Sequence, residues 1–282
     1  MREFQSLRVG VFDSGIGGLT VLKEIYRQLP SESILYFADN ARLPYGIRSR
    51  SSILQFVREI LVWMTRQEVK MVIMACNTSS ALALDLVRTE FEIPILGLIL
   101  PAARAAVRVG KRIGVLATPA TVASNAYVRA LQEVEPNIQA WQVPCPELVP
   151  LIEQKRLKDP YTLRAICQYL EPLLAQNIDT LIYGCTHYRH LSELFRQVLP
   201  PSISIIDPAE YVVSAAEQEM ELLGIKNPSN ALATRFCVSG DPDKFALLSR
   251  SWLGYTPVVE KTSLPRIVCH DDPGTMRMDY NI

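Results

Sequence analysis

The sequence predicts an α/β protein with two pseudo-symmetric domains, each a mostly parallel sheet flanked by helices, and a site in the cleft between them. Two observations lead to this prediction. Apolar runs of strand length alternate with amphipathic helical patterns along the chain. The chain also contains an internal repeat. Residues 112–116 resemble residues 8–12 at a shift of 104 positions (112 minus 8), and Cys185 repeats Cys76 at a shift of 109 positions (185 minus 76). Two similar shifts indicate an internal duplication, with one copy in each domain.

The composition excludes several classes of protein. Of the 282 residues, 49% are hydrophobic and 21% are charged, which is typical of a globular protein. The 29 Lys and Arg residues balance the 29 Asp and Glu residues, so we expect no nucleic-acid partner. Because we find no apolar run long enough to span a bilayer and no secretory pattern, we expect no membrane partner and a cytoplasmic location.

The six cysteines contain no C-x-x-C pair, which argues against a zinc or redox motif. Cys167 and Cys237 are interpreted as small buried hydrophobic residues. The Cys-His-Asp-Asp stretch at residues 269–272 superficially suggests a metal cluster, but consecutive residues of this kind in a polar tail are usually solvated. We therefore expect no metal.

The first predicted strand, residues 8–12, ends in a glycine-rich turn at residues 13–18, and a helical pattern follows. The arrangement imitates a dinucleotide-binding loop, but Thr20 stands where the third glycine is needed, and the Asp13 carboxylate would face the pyrophosphate. We therefore expect no nucleotide cofactor. Asp13 is interpreted as a partner for a substrate ammonium group or for proton transfer, or as a helix cap.

A second predicted strand, residues 34–37, leads to the turn Leu43-Pro44-Tyr45-Gly46. Pro44 restricts the backbone and Gly46 frees it, so the amides of Tyr45 and Gly46 could meet a substrate carboxylate. The turn alone does not identify a site.

The first thiol motif follows a predicted helix at about residues 48–67. A predicted buried strand comes after that helix and ends in Cys76-Asn77-Thr78. A further helical pattern follows, and then a predicted strand at residues 94–99. The thiol is therefore expected at the carboxyl end of a parallel strand, which is where such sheets bind ligands.

The second copy begins with the strand at residues 112–116. Residues 117–121 replace the glycine-rich turn, and Asp13 has no acidic counterpart among them. The second thiol motif is Cys185-Thr186-His187. The other elements of this copy are predicted at residues 138–141 (strand), 159–175 (helix) and 203–206 (strand).

The remaining chain is predicted to return to the first domain, with a helix at residues 209–224 and a strand at 234–238. Its last part, 256–282, has poor periodicity and is interpreted as a surface tail. The first domain then comprises residues 1–98 and 208–282, and the second comprises residues 99–207.

The paired thiols suggest proton transfer at a carbon atom. The α-proton of an amino acid is a very weak acid, so its removal needs a desolvated base, and inversion needs a proton delivered to the opposite face. Two thiols across a cleft meet both needs, one as thiolate and the other as thiol, and nearby donors favour the thiolate. His187 could shuttle the proton of Cys185, hold the substrate, or serve only as a structural hydrogen-bonding residue.

At these residues the chain resembles the glutamate racemase family, over residues 9–253. The motifs that carry the resemblance are residues 13–18, 44–46, 75–78 and 184–188. The resemblance implies an isomerase that interconverts L- and D-glutamate without a cofactor and so supplies D-glutamate for peptidoglycan, cell-wall biogenesis and cell shape. It also implies two α/β domains, the second inserted into the first, and a homodimer that acts on a small molecule.

The resemblance also implies roles for individual residues. Cys76 would deprotonate D-glutamate and Cys185 L-glutamate, with assistance from Asp13, His187 and Glu153. The implied substrate-binding residues are Asp13, Ser14, Pro44, Tyr45, Gly46, Asn77, Thr78, Thr121, Thr186 and His187.

Two positions depart from the family pattern. Arg189 stands where the family usually has proline, and residues 100–103 lack a glycine that often follows the proline there. Neither position is a proton-transfer residue, so the departures bear on local backbone shape and dimer packing.

Three other interpretations remain open. A racemase of aspartate or another small amino acid would use the same two thiols. A cysteine hydrolase would use Cys185 as nucleophile and His187 as base, but it would leave Cys76 without a role. A non-enzymatic binding module would only line its cleft with both thiols.

Overall fold

The computed structural model describes residues 2–267. In this range the strands form one six-stranded and one four-stranded sheet, and every strand pair is parallel. Helices flank both sheets, so the predicted α/β class is confirmed. The cysteine-histidine stretch at 269–272 lies outside the described residues. No helix within them is long and apolar enough to cross a membrane.

The strands are β1 Val9–Asp13, β2 Ile34–Ala38, β3 Met71–Met74, β4 Ile95–Gly97, β5 Arg112–Ala117, β6 Gln139–Pro144, β7 Thr180–Gly184, β8 Ser204–Ile206, β9 Arg235–Val238 and β10 Val259–Lys261. The α-helices are α1 Arg2–Gln5, α2 Leu19–Gln28, α3 Arg50–Arg66, α4 Asn77–Glu90, α5 Ile99–Val109, α6 Pro119–Ser124, α7 Ala126–Val134, α8 Leu148–Glu153, α9 Pro160–Leu174, α10 Ser192–Val198, α11 Pro208–Leu222 and α12 Pro242–Leu253. Short 3₁₀ helices cover Tyr45–Ile47 and Thr186–Leu191.

The two sheets repeat one strand order. The first runs β10-β9-β2-β1-β3-β4 and the second runs β6-β5-β7-β8. If β5 to β8 are matched in chain order with β1 to β4, the second order is identical to the β2-β1-β3-β4 part of the first. In each sheet, the second strand in chain order lies on one side of the first strand, and the third lies on the other side. The strand order therefore reverses between β1 and β3 in the first sheet and between β5 and β7 in the second. Parallel sheets bind ligands beyond the carboxyl ends of the strands at this switch point.

Both sheets are covered on their two faces. In the first, one apolar cluster packs the strands against α2 and α11, and a second packs them against α3 and α4. In the second sheet, one cluster joins the strands to α5 and α7, and the other joins them to α9 and α10. All five residues of β1 and of β7 are buried, which explains why these strands have near-continuous apolar sequences.

The structure corrects several sequence-based expectations. The strand predicted over 94–99 ends at Gly97, and α5 begins at Ile99, because a short apolar run does not distinguish a strand from a buried helix. The predicted surface tail contains β10, which pairs with β9. Cys237 is buried as predicted, but Cys167 is exposed, since it lies off the apolar face of α9.

The chain beyond α11 extends the first sheet. β9 pairs with β2, and β10 adds the outermost strand. This pairing agrees with the predicted return of the chain to the first domain, while the domain boundaries themselves stay a prediction.

Candidate active site

A cavity of about 130 Å³ lies where the carboxyl ends of the two sheets face each other. Both thiols, Cys76 and Cys185, line it. The other sequence-predicted residues that line it are Asp13, Ser14, Pro44, Tyr45, Gly46, Asn77, Thr78, Thr186 and His187. Glu153 and Thr121 lie behind this layer, where Glu153 is hydrogen-bonded to His187 and Thr121 to Thr78. The fold thus brings together residues from both copies of the repeat.

Asp13 ends β1 and is 1% exposed. Its Oδ2 accepts hydrogen bonds from the backbone amides of Gly15, at 3.1 Å, and Gly18, at 2.8 Å. Its Oδ1 is buried and has no hydrogen-bond partner among the described residues. Burial raises the pKa of this carboxyl, although the nearby His187 and the loop amides oppose the shift. Asp13 therefore keeps one free oxygen at the cavity and binds a proton more readily than an exposed aspartate.

Cys76 follows β3 and is the N-cap residue of α4. Its thiol is buried, and burial together with the charge of Asp13 raises its pKa to about 12. The thiol form of Cys76 is therefore strongly favoured. Ionising Cys76 requires a base that can remove its proton.

Cys185 has a different environment from Cys76. It follows β7, and its Sγ lies 3.7 Å from His187 Nδ1, while His187 Nε2 lies 2.9 Å from Glu153 Oε1. Burial of the ring favours the neutral imidazole, but the interactions with Cys185 and Glu153 raise the pKa of His187 well above its usual value. The sulfur of Cys185 therefore lies beside an imidazole, whereas Cys76 lies near the Asp13 carboxylate. The two thiols are therefore not equivalent.

We expect the Glu153→Gln variant to lower the pKa of His187, because the change removes a carboxylate that favours the imidazolium. Between the two pKa values, the wild-type ring is protonated and the variant ring is neutral. The titration of the His187 ring signals by NMR measures the difference. Glu147→Gln is the matched control, since Glu147 lies just before α8 but accepts from Tyr161 and Tyr169. An unchanged His187 titration in Glu153→Gln would contradict the role of this carboxylate.

Two glycines let loops of the two domains meet. A Cβ on Gly17 would lie 2.4 Å from Nδ1 of His187 and 2.6 Å from Oγ1 of Thr186. A Cβ on Gly46 would lie 2.6 Å from Cβ of Thr118. Neither approach leaves room for a side chain, so the glycines are needed for the close packing of the loops around the cavity.

The turn that contains Tyr45 and Gly46 is fixed by a buried carboxylate. Asp39, fully buried after β2, accepts hydrogen bonds from the Tyr45 hydroxyl, from Nε of Arg42 at 2.6 Å and from Oγ of Ser239 at 2.7 Å. Burial and the Asp39 charge raise the pKa of Tyr45 well above its usual value, so the phenol remains a donor. Sequence reasoning missed this role of Asp39.

Three threonines join the domains beside the cavity. Thr78 in α4 and Thr118, which caps α6, have their hydroxyl oxygens 2.9 Å apart, and Thr121 completes the cluster at 2.9 Å from Thr118 and 3.3 Å from Thr78. Sequence reasoning missed Thr118, although it is the counterpart of Ser14 at the repeat shift of 104 (118 minus 14). It also missed Cys145, a third cavity-lining thiol just beyond β6.

Comparison with known proteins agrees with this geometry. Residues 9–216 match the model of the Asp/Glu/Hydantoin racemase family. The chain is 68% identical over 265 residues to a glutamate racemase of Gloeothece citriformis, covering 94% of this chain and 95% of that protein.

Solved structures give the same result. The fold superposes on glutamate racemase isoform RacE1 from Bacillus anthracis with a TM-score of 0.89 and 38% identity, covering 93% of this chain and 99% of the other. It also superposes on a glutamate racemase from Francisella tularensis in complex with D-glutamate, with a TM-score of 0.86 and 35% identity, covering 92% and 98% of the two chains. This chain therefore belongs to the Asp/Glu/Hydantoin racemase family and, within it, to the glutamate racemases.

Proposed function

We propose that Cys76 and Cys185 interconvert L- and D-glutamate by transferring protons on opposite faces of the substrate α-carbon. The observation that carries this proposal is that two thiols from equivalent strands of a repeated fold line one small cavity. The chain is an amino-acid racemase that acts on glutamate, like the glutamate racemases to which it is similar. The roles of the individual residues are our proposal.

In the direction from L- to D-glutamate, Cys185 acts as the base. The His187 imidazolium, held by Glu153, stabilises the Cys185 thiolate. The Cα–H bond breaks, the proton passes to this sulfur, and the electron pair remains on the α-carbon. Cys76, a thiol because of its raised pKa, then donates its proton to the opposite face. One thiolate is consumed and one is formed, so the charges balance.

In the reverse direction, Cys76 must first become a thiolate. Asp13 is suited to accept its proton, because its buried Oδ1 is free and burial raises the pKa of its carboxyl. The Cys76 thiolate then removes the α-proton of D-glutamate, and Cys185 donates on the other face. Both thiols are buried, which keeps each base largely desolvated.

The substrate is held by polar groups around the thiols. Ser14, Asn77, Thr78 and Thr186 line the cavity and have side chains that can donate, and we propose that Tyr45 and Gly46 add their backbone amides. These groups suit the two carboxylates of glutamate. We assign Thr121 a supporting role, through its hydrogen bonds to Thr78 and Thr118.

The family role of this reaction is to provide D-glutamate for peptidoglycan, and hence for cell-wall biogenesis and cell shape. We propose that the chain works in the cytoplasm, where its amino-acid substrate is present, and that it forms a homodimer. Both statements are supported by the family resemblance.

Racemisation in deuterated water tests the two-base proposal. We expect D-glutamate formed from L-glutamate, without added pyridoxal phosphate, to carry deuterium on its α-carbon from the first turnover. The reason is that the donating thiol exchanges with solvent, whereas the abstracted proton remains on the other sulfur. Optical rotation and mass spectrometry measure both quantities. Early product that kept the original proton would refute two bases, and a hydrolase would leave glutamate unchanged.

A further inference from the structure

The helix α7 contributes a fully buried tyrosine that neither the repeat nor the cysteine motifs identify. The hydroxyl of Tyr127, in the predicted second domain, donates a 2.6 Å hydrogen bond to Oδ1 of Asn77, in the predicted first domain. Asn77 is the first residue of α4, directly after Cys76, and it lines the cavity. The bond therefore joins the second domain to the residue beside the first thiol.

The other end of the Asn77 amide has no partner. Its Nδ2 is buried and makes no hydrogen bond to any of the residues 2–267. An unpaired buried NH₂ group is destabilising, so such groups are rare unless a ligand satisfies them. A carboxylate oxygen in the cavity is a suitable acceptor for this group.

We propose that Tyr127 is a positioning residue that fixes the Asn77 amide with its NH₂ group toward a carboxylate of the substrate. This inference rests on the proposed function of the cavity. Tyr127 does not touch the substrate in this arrangement. It acts by holding Oδ1, which leaves Nδ2 as the only end of the amide that can face the ligand.

The chemistry of the phenol determines the direction of the bond. Burial raises the pKa of Tyr127 well above its usual value, and the charges of Cys185 and Asp207 act in the same direction, so the phenol keeps its proton. If the amide were reversed, this proton would lose its acceptor, and Oδ1 would face the substrate. Two acceptor oxygens, one on Asn77 and one on the carboxylate, would then repel each other.

We expect Tyr127→Phe to raise KM for both glutamate enantiomers about tenfold, with kcat changed by less than about threefold. The variant keeps the ring but removes the donor, so the Asn77 amide loses its preferred orientation. An interaction with a carboxylate that is equally strong in the ground state and the transition state affects KM rather than kcat. Steady-state kinetics in both directions give the two constants.

The matched control is Tyr183→Phe, which also removes a hydroxyl from a buried tyrosine of the second domain. Tyr183 packs in the apolar cluster beside α9 and α10, and we expect its variant to keep the wild-type KM. Thermal unfolding of both variants separates a loss of stability from a loss of positioning.

A double-mutant cycle provides the decisive readout. If Tyr127 acts only through Asn77, adding Tyr127→Phe to Asn77→Ala produces no further rise in KM. A purely structural role predicts that the two effects add. An unchanged KM in Tyr127→Phe, or additive effects in the double variant, would overturn the inference.

Calorimetric titration with D-glutamate separates this inference from the proposed function. If the wild-type protein bound glutamate but did not racemise it, the two-base reaction would be refuted. The inference would still hold if Tyr127→Phe bound glutamate about tenfold more weakly than the wild type. Equal affinity of the wild type and Tyr127→Phe would refute the inference alone.

Discussion

Cys76→Ala and Cys185→Ala should each reduce kcat for racemisation about 10⁴-fold, equivalent to ~5 kcal/mol of barrier. Each substitution removes either the base or the acid for one face of the α-carbon, and both are needed in every turnover. The remaining thiol can still reach its own face. We therefore expect residual exchange of the α-proton with solvent only for D-glutamate in Cys185→Ala and only for L-glutamate in Cys76→Ala.

Polarimetry measures racemisation in these variants, and proton NMR in deuterated water measures exchange. Cys237→Ala is the control, because this cysteine is equally buried but lies in the core of the first sheet, and it should keep the wild-type kcat. Racemisation within tenfold of wild type in either active-site variant would show that its thiol is not one of the two bases. Exchange of the opposite enantiomer would reverse our assignment of the faces.

Lys70→Met should lower the free energy of unfolding by about 3–5 kcal/mol, which is the usual effect of breaking a buried ion pair. Lys70 is fully buried, just before β3. Its Nζ lies 2.6 Å from Oε2 of Glu32 and donates to the carbonyl oxygens of Gln5, at 2.7 Å, and Ile225, at 2.8 Å. Without the lysine, the buried Glu32 carboxylate loses its compensating charge.

Urea unfolding measures this loss, and two further variants test its cause. Adding Glu32→Gln to Lys70→Met should recover part of the stability, because it removes the uncompensated charge. Arg27→Met breaks the ion pair with Glu24 on the surface, where Arg27 is largely exposed, and should cost less than about 1 kcal/mol. If the double variant were no more stable than Lys70→Met, the loss would come from the missing backbone hydrogen bonds instead.

Most of the fold could be predicted from the sequence, because its central strands are buried on both faces and have continuous apolar runs. The elements that sequence reasoning missed lack this signal. α5 is rich in alanine and continues an apolar run from β4, so its start was not visible. β10 exposes most of its side chains and is held to β9 through its backbone, so it has no hydrophobic pattern.

The positions of the candidate reactive groups along the chain follow from the amino-acid sequence alone. Asp13, Cys76 and Cys185 each stand at the end of an apolar strand run, and the repeat relates the two thiols, so local patterns were enough to predict them. The family resemblance already implied that Glu153 and His187 assist, but the contacts that position the supporting side chains became visible in the three-dimensional fold. Glu153 is paired with His187 across 34 positions within the predicted second domain, and Tyr127 is paired with Asn77 across 50 positions between the two predicted domains. Neither pair has a local sequence pattern, because its distance depends on how separate elements of the fold pack together.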